Sequence, residues 1–187
     1  MQLNYRKGTT DENIIKEILH KQAYRKKKID FKIEKDDVWL DGGSHVGVFG
    51  YYVASNGGKK VYCFEPEKEN YDLLLQNINI MQNRFPTEFV PYNYAVNQTG
   101  GVGTFTIAPN TWRHSLMTHY KKKLPTIDIN CMKIDDILEK HTDINAIRLD
   151  IEGSELEILL NEHDFTRIKK MVFEYSFTKD RRMDQFF

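Results

Sequence analysis

The sequence predicts an α/β fold in which a mostly parallel sheet is covered by helices on both faces. Three observations predict it. Short apolar runs end in an acid at VWLD, VYCFE and IRLD. Stretches with helical spacing separate those runs. Glycines crowd behind the first run, in VWLDGGSHVGVFG at 38–50, where the chain must turn sharply from strand to helix.

The elements follow in order. TTDENIIKEILHKQAYRKKK reads as a helix with Ile14, Ile15, Ile18 and Leu19 on one face and Thr10 or Asp11 as its cap. Its basic end, Arg25 to Lys28, suits the helix dipole or a phosphate patch. DDVWLD is a strand ending at Asp41, and 46–55 is a helix stopped by Asn56, Gly57 and Gly58. KKVYCFE is a second strand ending at Glu65, and Pro66 opens the next helix. Tyr71, Leu74, Leu75, Ile78 and Met81 share one face of it. EFVPYNYAV is a third strand, and the turn NQTGGVG predicts a hairpin with TFTI. Residues 108–126 show no period and read as a loop. IDINCMKI is extended, IDDILEKH a short helix, and NAIRLDIEG a strand ending near Asp150. SELEILLNE is a helix with Leu156, Leu159 and Leu160 inward, and KKMVFEYSF is the last strand.

At 187 residues the chain suits one domain, 1–187, with an N-terminal helical segment over 1–35 and a core over 36–187. Its hydrophobic content of 40% supports a packed core. Lys plus Arg and Asp plus Glu both number 27, so no net charge draws the chain to nucleic acid or an acidic membrane. Cys63 and Cys131 stand too far apart for a zinc or redox motif. The N-terminus lacks the apolar core of a signal peptide, and no apolar run approaches membrane-spanning length. A soluble cytoplasmic protein without a membrane partner is the expectation.

Function is sought at the strand ends, because such sheets bind ligands beyond the carboxyl ends of their strands. The glycine stretch is no P-loop: Val48 and Phe49 follow Gly47 where lysine and a hydroxyl are needed. It is no dinucleotide fingerprint either, since Ser44 and His45 break both frames of G-x-G. The remaining pattern is D-x-G-x-x-x-G at Asp41, Gly43 and Gly47. It resembles the first motif of S-adenosylmethionine-dependent methyltransferases. There a carboxylate can orient an ammonium group while small residues let backbone approach the ligand. Gly42, Ser44 and His45 complete that cofactor loop. Glu65 stands 24 residues after Asp41 and suits ribose hydroxyls, with Pro66 beside it; the alternative is that Glu65 only caps the following helix.

From about Val38 to Phe177 the chain resembles FkbM-type methyltransferases, a class I S-adenosylmethionine-dependent group. WLDGGSHVGVFG, FEP, YAVNQTGGVGTFTI, KIDDIL, IRLDIEGSELEILL and VFEYSF carry the resemblance in order. The family usually has Asn at the position of His45 and Lys at that of Arg148. The resemblance implies a Rossmann-like sandwich, here with a shortened C-terminal hairpin. It implies O-methylation, often of sugars, and adenine held near Asn93, Tyr94 and Ala95. With strand order 3-2-1-4-5, Asp150 falls near the reacting methyl.

A sugar hydroxyl is a poor nucleophile at neutral pH, so a base or a metal is expected. Asp150 is the first candidate, against the alternative that it caps the next helix. Glu152, Glu174 and His114 are further candidates. Asp150, Glu152 and Glu174 could together hold magnesium or manganese. Two rival functions stay open: an RNA 2′-O-methyltransferase using the Arg25–Lys28 cluster and loop aromatics, and a non-catalytic binding module.

Overall fold

The computed structural model describes residues 3–20, 31–106, 125–151 and 154–173. A five-stranded, wholly parallel sheet forms its centre. Its strands are β1 (Val38–Gly42), β2 (Lys60–Phe64), β3 (Glu88–Tyr92), β7 (Ala146–Leu149) and β8 (Lys170–Phe173). They lie in the order β3-β2-β1-β7-β8. Strand order therefore reverses between β1 and β7, the place where this class of sheet opens a crevice.

Alternation of side chains sends each strand into two cores. Trp39, Val61, Cys63 and Ala146 point to one face. There they meet α2 (Val48–Ser55), α3 (Lys68–Gln82) and the N-terminal segment, through Phe49, Val53, Leu74, Met81, Ile15 and Ile18. Leu40, Phe64, Ile147 and Leu149 point to the other. They meet Ile137 of α4 (Ile134–Lys140) and Ile158 of α5 (Glu155–Leu159). Both faces are covered, which is why the strands read as nearly continuous apolar runs.

The N-terminal segment folds as α1 (Asp11–Ile15) followed by a π-helical turn, Lys16–His20. Ile15 and Ile18 are buried, as their spacing predicts. The cap differs from expectation. Thr10 occupies the cap position without a side-chain bond to the helix, and the Asp11 carboxylate turns to Arg6 instead. Arg25 to Lys28 lie outside the described residues.

The expected hairpin is corrected. The run around 88–97 splits at Asn93 and Tyr94 into β3 and β4 (Ala95–Asn97), which belong to different sheets. The second sheet has the order β4-β6-β5, with β5 Gly101–Thr106 and β6 Thr126–Lys133. β6 thus lies between the two strands expected to pair. It runs parallel to β4 and antiparallel to β5. The Asn97 side chain organises the turn by accepting from the N–H groups of Thr99 and Gly100. Gly100 and Gly101 both have positive φ, so the chain swings past β4 rather than returning along it.

Two leucines are also corrected. Leu75 on α3 is exposed, and the buried stripe there is Asn70, Leu74, Asn77, Ile78 and Met81. α5 is only five residues long, so Leu160 falls beyond it and is 53% exposed. Ile158 fills the core in its place. Ile158→Ala is expected to cost about 2–5 kcal/mol of stability, and Leu160→Ala less than about 0.5 kcal/mol. Urea denaturation of the two variants measures this; equal losses would contradict the placement of α5.

Candidate functional site

The strand register brings four tips into one row. Gly42 is level with Phe64 and Leu149, and Phe64 with Tyr92. One residue further along stand Gly43, Glu65, Asn93 and Asp150. Three of the four are fixed by backbone bonds. Gly43 N–H donates to Phe64 C=O, Glu65 N–H to Tyr92 C=O, and Asp150 N–H to Gly42 C=O. The expected cofactor-loop, second-tip and third-tip residues thus share one edge of the sheet with Asp150. His114, Glu152 and Glu174 lie outside the described residues.

Asp41 stands two residues inside this edge and is fully buried, on the face that carries α2. Its ladder neighbour is Arg148. Arg148 Nη1 donates to Asp41 Oδ1 at 2.7 Å and to Gly43 C=O at 3.1 Å, while Nη2 donates to Asp150 Oδ2. The guanidinium also lies 5.2 Å from the Phe49 ring centroid. Asp41 therefore meets an arginine in the fold's interior, and among the described residues its Oδ2 has no hydrogen-bond partner. Burial pushes its carboxyl upward, and Arg148 pulls it back.

Gly43 must be glycine for two reasons. Its φ is +80°, and a Cβ there would lie 2.0 Å from the Asp150 carbonyl oxygen. The loop passes that close to the β7 tip because no side chain intervenes. Ser44 Oγ donates to Asp41 C=O, and Gly47 N–H to Ser44 C=O, which closes the turn before α2. His45 is the one non-glycine described residue with positive φ, at 51°. Asn and His are both enriched in that region among non-glycine residues. This backbone demand accounts for a histidine where the family usually has asparagine.

The turn aims His45 N–H at Glu65 Oε2, 2.8 Å away. Glu65 Oε1 accepts from Glu67 N–H at 2.9 Å and from Asn70 Nδ2 at 3.4 Å. The Glu67 contact lies at the start of α3, so Glu65 does bind there as the helix-capping alternative requires. The bond from His45 ties it to the β1 loop as well. Asn93 Nδ2 donates to the carbonyls of Glu65 and Pro66 and locks the second tip to the third. Tyr94 is exposed and Ala95 buried.

Sequence reasoning missed Arg6, Asp11, Asn70 and Asn77, and treated Arg148 only as a departure from the family pattern. Arg6 bonds Asp11 through Nε and Nη2, and Nη2 also reaches Asn70 Oδ1 at 2.6 Å and His45 Nε2 at 3.3 Å. Asn77 Nδ2 donates to the carbonyls of Val46 and Asn4, and its Oδ1 accepts from Asn4 N–H. One signal was available: two asparagines on the apolar stripe of α3, where buried amides require partners. Arg6 carried none, since its partners lie up to 64 residues away.

Among the described residues no group of three or more His, Cys, Asp and Glu stands close enough to hold a metal. Two of the three expected ligands, Glu152 and Glu174, lie outside those residues. No helix among those residues is long and apolar enough to cross a membrane.

The Methyltransferase FkbM domain model matches residues 41–187. The chain belongs to the FkbM methyltransferase domain family. It is also 27% identical over 128 residues to the hexuronic acid methyltransferase AglP of Haloferax volcanii, covering 67% of this chain and 50% of that protein. The chain thus spans about half the length of this curated relative. No solved structure matches it.

The residues at the row of tips suit S-adenosylmethionine by their chemistry. The ligand presents hydroxyls, an ammonium and a sulfonium, which call for acceptors and negative charge. Glu65, Asp150 and the tip carbonyls are acceptors, and the Arg148 cation is held between two carboxylates.

Glu65 has a measurable signature. Burial raises its carboxyl from the ordinary 4.5 to about 7, against the opposing pull of the Glu67 and His45 N–H groups. The folded protein then holds a proton that the unfolded chain has lost between those values. The stability due to this group is full below about 4.5 and is lost as pH rises through about 7. Carboxyl-selective NMR of the ligand-free protein is expected to show Glu65 titrating near 7, whereas a midpoint below 5 would contradict its burial.

Proposed function

We propose that this FkbM-family chain is an S-adenosylmethionine-dependent O-methyltransferase acting on a hydroxyl of a sugar. The observation that carries the reading is the row Gly43, Glu65, Asn93 and Asp150, level across the point where strand order reverses. Family membership supplies the reaction class. The AglP relative, whose name specifies a hexuronic acid, supports a sugar acceptor.

The cofactor supplies an electrophilic methyl group. Everything else is the work of this chain's residues. Glu65 accepts the ribose hydroxyls through the lone pairs left by His45 and Glu67, as an acid at the second tip does for other nucleosides. Gly43, without a side chain, lets the β1 loop lie against the bound molecule. Asn93 holds the second and third tips together where the adenine is placed, beside Tyr94 and Ala95.

Asp150 acts on the acceptor. Its Oδ2 is held by Arg148, which fixes the carboxylate's direction. Oδ1 then accepts the hydroxyl proton as the oxygen attacks. Such a base contributes about 10²–10⁴ in rate. Holding acceptor and methyl in line contributes more, because proximity replaces a bimolecular encounter. Asp150 directly follows the last residue of β7, and its N–H bond to Gly42 C=O holds it beside the β1 tip.

Asp150→Asn keeps the size of the side chain and an oxygen for Arg148. It is expected to bind S-adenosylhomocysteine within about threefold of the parent while turnover on a hexuronic acid acceptor falls at least about 10²-fold. Calorimetry and a methyl-transfer assay read the two quantities. Undiminished turnover would remove Asp150 from the mechanism, and no heat with the parent protein would remove the cofactor.

A further inference from the structure

The family match begins at residue 41, yet a side chain from well before it reaches the site. Arg6 is the hub. Its Nε and Nη2 grip both oxygens of Asp11 at 3.0 Å, and its own N–H donates to Asp11 Oδ2 at 2.8 Å. The fork is thereby fixed in direction before it touches anything else. Nη2 then meets two side chains that both contact Glu65. Asn70 accepts through Oδ1 and donates through Nδ2 to Glu65 Oε1. His45 faces Arg6 through Nε2 and gives its backbone N–H to Glu65 Oε2. Asn4 and Leu3 anchor the same segment, through the buried Asn77 and the core.

A guanidinium can only donate. In that contact His45 Nε2 is the acceptor, which leaves the ring proton to Nδ1, a buried nitrogen without a hydrogen-bond partner among the described residues. Arg6 thus selects one neutral tautomer of a residue already held at positive φ. The remaining polar contact of the ring is Asp11 Oδ1, 3.5 Å from Nε2.

We propose that Arg6 is a positioning residue of the cofactor site, which holds His45 and Asn70 so that the Glu65 carboxylate is set to receive the ribose of the bound nucleoside. The segment before the family domain thus takes part in cofactor binding without touching the cofactor. Arg6 presses on both flanks of Glu65, from the β1 loop and from α3. Without it, His45 would face Asp11 with no cation between them.

The charges around the His45 ring make this testable. Burial chiefly lowers its pKa, to about 4. Asp11, Glu67 and Asp150 push the ring upward and Arg6 pushes it down. Removing Arg6 leaves the carboxylates unopposed, so the ring gains a proton at higher pH than in the parent. Protonation at Nε2 turns the ring toward Asp11 and disturbs the loop that aims N–H at Glu65. A segment that merely adds stability would not give cofactor affinity a new pH dependence.

The test rests on the methyltransferase reading and is arranged so that the two can fail separately. S-adenosylhomocysteine binding is measured by calorimetry between pH 5 and 8 for the parent, Arg6→Gln and Arg6→Lys. The parent is expected to bind; if it does not, the cofactor reading itself fails and the proposal falls with it. Arg6→Gln is expected to bind about tenfold more weakly at pH 8, the worth of roughly one charge-assisted hydrogen bond. Its affinity is expected to fall further toward pH 5, relative to the parent. Arg6→Lys keeps the cation, loses the fork, and is expected to lie between the two. Should Arg6→Gln fail to fold, Arg6→Lys carries the test, with a loss of at least about threefold expected from the missing fork. If the parent binds and the folded variants match its affinity at every pH, the proposal is overturned.

Discussion

The bridge from Asp41 through Arg148 to Asp150 is the constraint on which the site depends. It spans β1 and β7 at the point where strand order reverses. A carboxylate with no exposure is expensive, and its attraction to a cation inside a protein seldom recovers more than the cost of desolvating both. Removing one partner of such a pair typically costs about 3–5 kcal/mol, whereas an apolar replacement of both can be neutral. The bridge therefore adds little net stability. What it fixes is direction: Arg148 holds Asp150 at the tip and braces Gly43 C=O.

Around that bridge the rest of the edge follows from backbone geometry. Gly43 can cross the β7 tip only without a Cβ, and the crossing brings His45 N–H to Glu65. Glu65 is then gripped from two sides, by the β1 loop and by the start of α3. Three N–H donors meet the carboxylate, and burial still raises its pKa. On the proposed reading, ribose hydroxyls would add further donors. Tip carbonyls, the carboxylates and an arginine held between two of them make up this edge, where the proposed cofactor would lie.

Much of this was legible in the sequence. Glu65 and Asp150 end apolar runs, and a parallel sheet aligns such ends without regard to what lies between them; Asp41 also ends a run but lies level with Arg148, inside that row. The residues after Gly47 excluded the P-loop, and Ser44 and His45 excluded the dinucleotide fingerprint by breaking its glycine frames. Three kinds of feature were not legible. The β4 and β5 runs alternate as a hairpin would, and only the insertion of β6 between them decides otherwise. Leu75 and Leu160 fit an apolar face by spacing, but the first is turned outward and the second lies past the end of a helix too short to include it. The roles of Arg6 and Arg148 depend on partners brought together by folding, 64 and 107 residues apart in the chain for Asn70 and Asp41. His45 stands between these cases: its identity departs from the family pattern, and its positive φ explains the departure.

The most direct test of the account is a crystal structure of the protein with S-adenosylhomocysteine. The account places the ribose hydroxyls within hydrogen-bonding distance of Glu65, the adenine beside Asn93 to Ala95, and the sulfur facing the Asp150 carboxylate. A nucleoside bound away from Glu65, or a sulfur turned from Asp150, would contradict it.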